Sequence, residues 1–256
     1  MRWTERRLRM LEEMGVKVWL APEAPGPYGP VEAPRVSVVI AAEPASSDAV
    51  LAAARRRLRP SAVADMDWPA LREAVAGCTA CKLCEGRRQT VFGVGHERAH
   101  WMIVGEAPGE QEDRQGEPFV GKSGQLLDNM LRAIGLTRDA APPEQQVYIA
   151  NSVKCRPPGN RNPEPGELAQ CEPYLVRQLR LVQPRIILAM GRFAVQSLLR
   201  SAEPIGRLRG RVHRYEGVPL IVTYHPAYLL RSPLDKARAW EDLCLARETA
   251  AAASDS

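Results

Sequence analysis

Residues 101–134 read WMIVGEAPGEQEDRQGEPFVGKSGQLLDNMLRAI: an apolar run, then a polar loop rich in glycine and proline, then a segment of helical periodicity. A short apolar run bounded by turn residues predicts a buried strand, and apolar residues spaced by three and four predict an amphipathic helix. Further apolar runs cover 147–150, 186–189 and 220–223, and further helical segments cover 165–181, 192–200 and 234–250. Alternating strands and helices predict an α/β fold, here a three-layer α/β/α sandwich around a central four-stranded parallel sheet.

Polar residues directly follow the predicted strands, at the edge of the sheet where ligands bind in folds of this kind. Glu106 and Ala107 come shortly after the first strand, Asn151 after the second and His225 after the fourth. The third strand is followed by Met-Gly-Arg-Phe. Because the carboxyl ends of parallel strands meet at one edge, the sequence predicts a single site there.

The composition restricts the class of protein. The chain has 256 residues and a formal net charge of +5, which suits an acidic partner such as nucleic acid without requiring one. It contains no apolar run of about 18 residues, so we expect no membrane contact. Charges interrupt the first fifteen residues, so we expect no signal peptide and a cytoplasmic location. In that reducing setting, six cysteines indicate metal ligands or buried thiols rather than disulfides.

The sequence predicts an N-terminal extension, residues 1–60, followed by a globular domain, residues 61–256. The extension contains a predicted amphipathic helix at 3–15 and a linker rich in proline, alanine and glycine at 21–48. It is either a poorly ordered tail or a tethered helix that docks on a protein partner. The sequence does not decide between these two interpretations.

The cysteines form two groups that could share one metal site. Cys78 and Cys81 make a C-x-x-C pair, while Cys155 follows the second predicted strand and Cys171 lies early in a helix. Four thiolates from two segments can hold either a zinc ion or an iron–sulfur cluster, and the spacing favours neither. Buried, inert cysteines are the alternative, and Cys244 is most simply a core residue.

Four motifs together resemble the family 4 uracil-DNA glycosylases of bacterial type, the iron–sulfur class of enzymes that remove uracil from DNA. They are CTACKLCEGRRQTVFG (78–93), GEAPGEQEDRQGEPFVGKSGQLL (105–127), NSVKCRPPGNRNP (151–163) and HPAYLLRSP (225–233). The resemblance extends from about residue 70 to 245. It implies the fold of that family and a structural 4Fe-4S cluster held by Cys78, Cys81, Cys155 and Cys171. Cys84 falls at a position where the family requires no ligand.

The resemblance also implies a set of roles in the pocket that receives a flipped nucleotide. Phe119 is the expected stacking partner of uracil. Asn151 is the expected reader of the uracil edge, because a carboxamide can accept from N3–H and donate to O4. His225 is expected to stabilise the negative charge that develops on O2 as the base departs.

Water activation is the role that the motifs define least. The better-known uracil glycosylases carry an aspartate where this chain has Ala107, and a small residue is typical of the iron–sulfur class. A carboxylate near C1′ can orient water and stabilise an oxocarbenium-like sugar. We expect Glu106 to organise the water and the backbone, and Glu112 to close the pocket beside C5 of the base.

The same rim is expected to bind uracil-containing DNA. Cationic side chains in the motif loops could neutralise phosphates, Ser123 at a helix start could add a phosphate contact, and Leu229 lies in an apolar tip that could wedge into the stack. The cationic residues are Lys122, Lys154, Arg156, Arg161 and Arg231. We expect a monomer that acts on the bacterial nucleoid.

Two other classes of protein remain as alternatives. One is a non-turnover protein of the same superfamily that binds or traps uracil-DNA; that branch carries a basic, histidine-containing insertion, which is absent after Asn151. The other is a four-cysteine zinc protein that binds nucleic acid structurally. A zinc deaminase is disfavoured because H-x-E and P-C-x-x-C do not occur together.

Overall fold

The computed structural model describes residues 63–252. The helix predicted at 3–15 and the linker predicted at 21–48 lie outside these residues, and the boundary near residue 60 stays a prediction. In the described range, no helix is both long enough and apolar enough to cross a bilayer.

Six strands form one mixed sheet: β1 (Val94–Gly95), β2 (Trp101–Gly105), β3 (Tyr148–Asn151), β4 (Ile186–Met190), β5 (Val212–Tyr215) and β6 (Val218–Thr223). Their order is β1-β3-β2-β4-β6-β5. β3, β2, β4 and β6 are neighbours that pair in parallel, and they correspond to the four predicted strands. The prediction of a sheet with four parallel strands alone was wrong. The sheet is mixed, because β1 pairs antiparallel with β3 at one edge and β5 pairs antiparallel with β6 at the other.

The two edge strands carry no apolar run, which is why the sequence did not indicate them. β1 is only two residues long. β5 alternates exposed and half-buried residues, as an edge strand with one solvated face does. The central strands β2, β3 and β4 are buried along their whole length, and this burial explains their continuous apolar sequences.

Nine α-helices lie within the described residues. They are α1 (Trp68–Ala76), α2 (Leu83–Gly86), α3 (Glu110–Gln115), α4 (Lys122–Ala133), α5 (Pro165–Val182), α6 (Arg192–Leu199), α7 (Ile205–Leu208), α8 (Pro226–Arg231) and α9 (Lys236–Ala252). Short 3₁₀ turns occur at Pro158–Asn160 and Pro233–Asp235. The four helices predicted from periodicity correspond to α4, α5, α6 and α9, with ends that differ by one or two residues.

Helices cover both faces of the sheet. Alternate side chains along a strand point to opposite faces, so Met102 and Val104 of β2 pack against α5, α6 and α7. Trp101 and Ile103 of the same strand join a second core with α4 and α9. A third apolar cluster gathers α1, α2, the start of α5 and the loop after β3. The carboxyl ends of the four central strands are left open at one edge.

Candidate active site

A pocket of about 380 Å³ lies at the carboxyl edge of the central strands. It brings together six predicted site residues from parts of the sequence that lie far apart: Glu106, Ala107, Glu112, Phe119, Asn151 and His225. Ser123, Arg161 and Arg231 also line it. The prediction of one site on this rim is therefore matched by the geometry.

Asn151 presents an unused acceptor to this pocket. It is the last residue of β3 and is only 2% exposed, yet its Oδ1 has no hydrogen-bond partner within the described part of the chain. A buried polar atom without a partner costs free energy, and such atoms are few in native proteins. Oδ1 is therefore free to accept a hydrogen bond from a bound molecule.

Gly105, at the end of β2, makes room for two walls of the pocket. A Cβ atom at this position would lie 2.4 Å from Asn151 Oδ1 and 2.6 Å from Phe119 Cζ. Contacts this short would force both side chains to move. The missing side chain of Gly105 thus lets the carboxamide and the aromatic ring converge on the same space.

Phe119 forms an aromatic wall and is held in an unusual backbone conformation. Its φ is +56°, a left-handed value that is rare for a bulky residue and marks functional or strained positions. α4 packs directly beneath it, since a Cβ on Gly124 would lie 1.7 Å from Phe119 O. The phenyl ring stacks beside the imidazole of His225, with 5.3 Å between the ring centroids and 25° between the planes.

His225 is a neutral hydrogen-bond donor in this arrangement. The backbone N–H of Ala227 donates to Nδ1 at 3.1 Å, so the proton of the neutral ring is assigned to Nε2. Burial lowers the pKa of His225 to about 4, and the nearby Arg231 charge acts in the same direction. The ring is therefore uncharged at neutral pH and can donate through Nε2–H.

Glu106 lies next to His225, at the start of α6. Its Oε1 accepts a hydrogen bond from the backbone N–H of Phe193 at 3.2 Å. Gly191 has a φ of +92°, and a Cβ there would lie 2.4 Å from Glu106 Oε1, so this glycine admits the carboxylate. Burial raises the pKa of Glu106, while the N–H groups of α6 oppose that rise.

Glu112 is engaged by the backbone of its own loop. Its Oε2 accepts from Gly109 N–H at 3.1 Å. Its Oε1 accepts from Val120 N–H at 3.0 Å and Gly121 N–H at 3.2 Å. With both oxygens occupied, this carboxylate fixes the loop that carries Phe119 and leaves water chemistry to Glu106.

The predictions for Lys154 and Leu229 as DNA contacts were wrong. Lys154 is 1% exposed, and its ammonium group donates to Asn151 O and Gln178 Oε1 inside the protein. Leu229 is also 1% exposed, because its face of α8 packs inward. The next residue, Leu230, is 44% exposed and is the apolar side chain of this turn that reaches solvent.

Of the other cationic residues predicted to bind DNA, two form hydrogen bonds within the protein and two are exposed to solvent. Arg161 donates twice to the buried carboxylate of Glu167, at 2.9 and 2.6 Å, and so anchors the pocket rim. Arg156 donates to Asn160 Oδ1 at 2.7 Å. Arg231 and Lys122 are exposed, and Arg231 lines the pocket.

The sequence reasoning missed the turn that closes one side of the pocket. Pro157, Asn160 and Asn162 line it, and Asn160 has a φ of +55°. The signal was present in the Pro-Pro-Gly-Asn run after β3, which is typical of a tight turn. Arg161, at the end of this turn, is tied to Glu167 of α5, a contact that no local sequence pattern indicates.

A second cavity lies beyond β3 and is lined by five cysteines: Cys78, Cys81, Cys84, Cys155 and Cys171. Arg87 Nη1 donates to Cys155 Sγ at 3.1 Å, and Lys154 N–H donates to Cys171 Sγ at 3.4 Å. Burial raises the pKa of both thiols, and these two donors favour the thiolate. Among the described residues, no three metal-binding side chains come close enough to hold one ion.

Comparison with known proteins agrees with this geometry. The family model of the uracil DNA glycosylase superfamily matches residues 92–244, a range that contains every residue of the pocket described above. The chain belongs to this superfamily. A type-4 uracil-DNA glycosylase of Archaeoglobus fulgidus is 44% identical over 167 residues, which is 62% of this chain and 81% of that protein.

Two further type-4 uracil-DNA glycosylases show the same level of similarity. The protein of Sulfurisphaera tokodaii is 42% identical over 70% of this chain and 83% of its own length. The bacterial protein of Thermotoga maritima is 40% identical over 65% of this chain and 84% of its own length. The resemblance to the type-4 class that the four motifs indicated is thereby confirmed.

Proposed function

We propose that this chain is a type-4 uracil-DNA glycosylase, which hydrolyses the N-glycosidic bond of uracil in DNA and leaves an abasic site for base excision repair. The observation that carries the proposal is the buried Oδ1 of Asn151, which has no hydrogen-bond partner among residues 63–252 and lies in a pocket that also holds an aromatic wall and a neutral imidazole. The relatives named above support the same activity.

Recognition of the base follows from the wall formed by Asn151 and Phe119. The carboxamide accepts from uracil N3–H through Oδ1 and donates to O4 through Nδ2. Cytosine presents the inverted pattern, an acceptor at N3 and a donor at N4, so it leaves both groups mismatched. Phe119 offers its ring face to the flipped base, while Glu112 holds the Phe119 loop closed.

Bond cleavage uses the other wall of the pocket. As the C1′–N1 bond breaks, its electron pair passes to the base, and His225 Nε2–H donates to the oxygen O2 where negative charge collects. Ala107 has no functional group, so water orientation falls to Glu106. Water attacks C1′ of the oxocarbenium-like sugar, and the carboxylate of Glu106 accepts the proton that the water loses.

DNA binding combines the exposed cations with an apolar wedge. Arg231 and Lys122 neutralise phosphates on either side of the pocket, and the N–H groups around Ser123 at the start of α4 add a phosphate contact. Leu230 takes the role first expected of Leu229 and enters the gap left by the flipped base.

We also propose that four of the cysteines, Cys78, Cys81, Cys155 and Cys171, hold a 4Fe-4S cluster. These residues would hold the cluster through their thiolate sulfurs. These four cysteines line one cavity together with Cys84, which falls where the family resemblance requires no ligand. A cluster bound by four thiolates is anionic, which suits the buried ammonium of Lys154 and the guanidinium of Arg87 beside it. The cluster would join α5, the loop after β3 and the segment before α2.

The remaining proposals concern the whole chain. We propose that the glycosylase domain begins near residue 61, acts as a monomer and finds its substrate in the nucleoid of the bacterial cytoplasm. The extension at 1–60 is proposed to contact a protein partner. These proposals draw on the sequence pattern and on the nature of the substrate.

The test compares three fluorescent oligonucleotides that differ in one base. Each carries uracil, cytosine or thymine at the same position and is treated with alkali after incubation, which cleaves the strand at abasic sites. We expect cleavage of the uracil strand alone. Cleavage of none of the three strands, or equal cleavage of the uracil and cytosine strands, would overturn the proposal.

A further inference from the structure

Lys154 is a buried cation that takes no part in the proposed steps of base recognition and bond cleavage. It lies three residues after Asn151 and is almost fully inaccessible to water. Burying an ammonium group is costly unless hydrogen bonds compensate for the lost water. Its position therefore requires an explanation that a surface lysine would not.

The ammonium group belongs to an internal hydrogen-bond network. Lys154 Nζ donates to Asn151 O at 2.9 Å and to Gln178 Oε1 at 2.6 Å. Gln178 Nε2 in turn donates to Phe92 O at 2.9 Å and to Tyr148 Oη at 3.0 Å. These two acceptors fix the orientation of the Gln178 amide, so that its oxygen faces Lys154.

The contact with Asn151 O restrains the peptide group that follows the uracil reader. This group is planar, and both of its polar atoms are held. Its N–H, that of Ser152, donates to Gly105 O at 3.0 Å, while its carbonyl accepts from Lys154. Holding this plane restrains ψ of Asn151 and thus the backbone position from which the side chain extends.

The Asn151 carboxamide must point in one narrow range of directions to reach the base. Asn151 Oδ1 lies in the space left by the missing Cβ of Gly105, at 2.4 Å from where that atom would be. A small rotation of the Asn151–Ser152 peptide would turn the carboxamide away from the base. Misplacement by about 1 Å can slow an enzyme roughly 100-fold.

We infer that Lys154 is a positioning residue for Asn151: by clamping the carbonyl of the uracil reader from inside the protein, it aims the carboxamide at the base. The inference rests on the proposed glycosylase function. Lys154 also donates its backbone N–H to Cys171 Sγ, so the same residue contacts both the proposed cluster cavity and the base pocket.

A double-mutant cycle in single-turnover excision tests the inference. Lys154→Met should slow uracil excision about 10- to 100-fold in the wild-type background. In an Asn151→Ala background the same change should have less than about a twofold effect, because there is no carboxamide left to aim. Equal slowing in both backgrounds would overturn the inference.

A matched control separates positioning from general damage to the buried network. Tyr148→Phe removes one of the two acceptors of Gln178 Nε2; Phe92 O remains to orient the amide, so the Lys154–Asn151 contact is expected to stay intact. It should lower the melting temperature yet change excision by less than about twofold. If Tyr148→Phe slows excision as much as Lys154→Met does, Lys154 has no special relation to Asn151.

Two further readouts keep the cycle decisive. Iron content and the visible spectrum of each variant show whether the neighbouring cysteines still hold metal, and only iron-replete protein enters the cycle. If Lys154→Met does not fold, Lys154→Gln replaces it, since its shorter amide can bond Gln178 without reaching Asn151 O. A wild-type protein that excises no uracil overturns the proposed function itself and this inference with it.

Discussion

The substitution Asn151→Asp reverses half of the hydrogen-bonding pattern at the base pocket. The aspartate replaces the Nδ2 donor with an oxygen that faces uracil O4, so both O4 and that oxygen lose a partner. Leaving one buried polar group unsatisfied costs about 1–3 kcal/mol, or roughly a 5- to 150-fold slower excision of uracil. This loss applies to the ionised carboxylate; because Asn151 is buried, the pKa of the new carboxyl group is expected to rise, so that a fraction of the protein carries it protonated.

A protonated aspartate complements cytosine, since its O–H can donate to N3 and its other oxygen can accept from N4–H. We therefore expect cytosine excision to become measurable while uracil excision falls. The assay is single-turnover cleavage of oligonucleotides that contain uracil or cytosine at one position. Asn129→Asp on the exposed side of α4 makes the same change outside the pocket and should alter the uracil rate by less than about twofold. An Asn151→Asp enzyme with the wild-type rate and preference would refute the assignment of Asn151.

Three further predictions concern the fall of kcat/KM at low pH, the binding of iron by Cys155 and the deletion of residues 1–60. Burial raises the pKa of Glu106, and the ionised form accepts the proton from water, so kcat/KM should fall as pH drops through that raised pKa. Glu106→Gln should slow excision about 10²- to 10⁴-fold. It should also remove this fall of kcat/KM at low pH, because His225 stays neutral down to pH about 4. If kcat/KM of Glu106→Gln still falls at low pH as in the wild type, another group is responsible for that pH dependence. Cys155→Ala should lose iron and melting temperature together, and an iron-replete, equally stable variant would remove Cys155 from the ligand set. Deletion of residues 1–60 should leave excision of short oligonucleotides intact, whereas a folded but inactive truncation would move the domain boundary.

The elements that the sequence predicted well are those that a local pattern determines. Central strands are buried on both faces, so their apolar runs are continuous and easy to recognise, as in β2 and β4. The edge strand β5 is half exposed and carries His213 and Arg214, so no apolar run marks it. Its place in the sheet depends on pairing with β6, which no local pattern states.

The residues of the site divide in the same way. Asn151 ends β3 and His225 comes two residues after β6, so the sheet topology alone brings them to one edge. Lys154 was misassigned because a lysine in a polar motif is usually solvated, and the partner that permits its burial, Gln178, lies 24 residues farther along the chain. Glu112 was expected to act on the base side of the pocket, yet its partners are backbone N–H groups, which a sequence does not display.

The most direct test of the central claim is to count free uracil released per molecule of protein from an excess of uracil-containing DNA. A glycosylase in which Asn151 reads the base and Glu106 and His225 assist its departure releases many uracils per protein molecule, and the count rises with time until the substrate is consumed. Release that stops at one equivalent or less, with the DNA still bound to the protein, would contradict this account and indicate a protein that captures uracil-DNA without turnover.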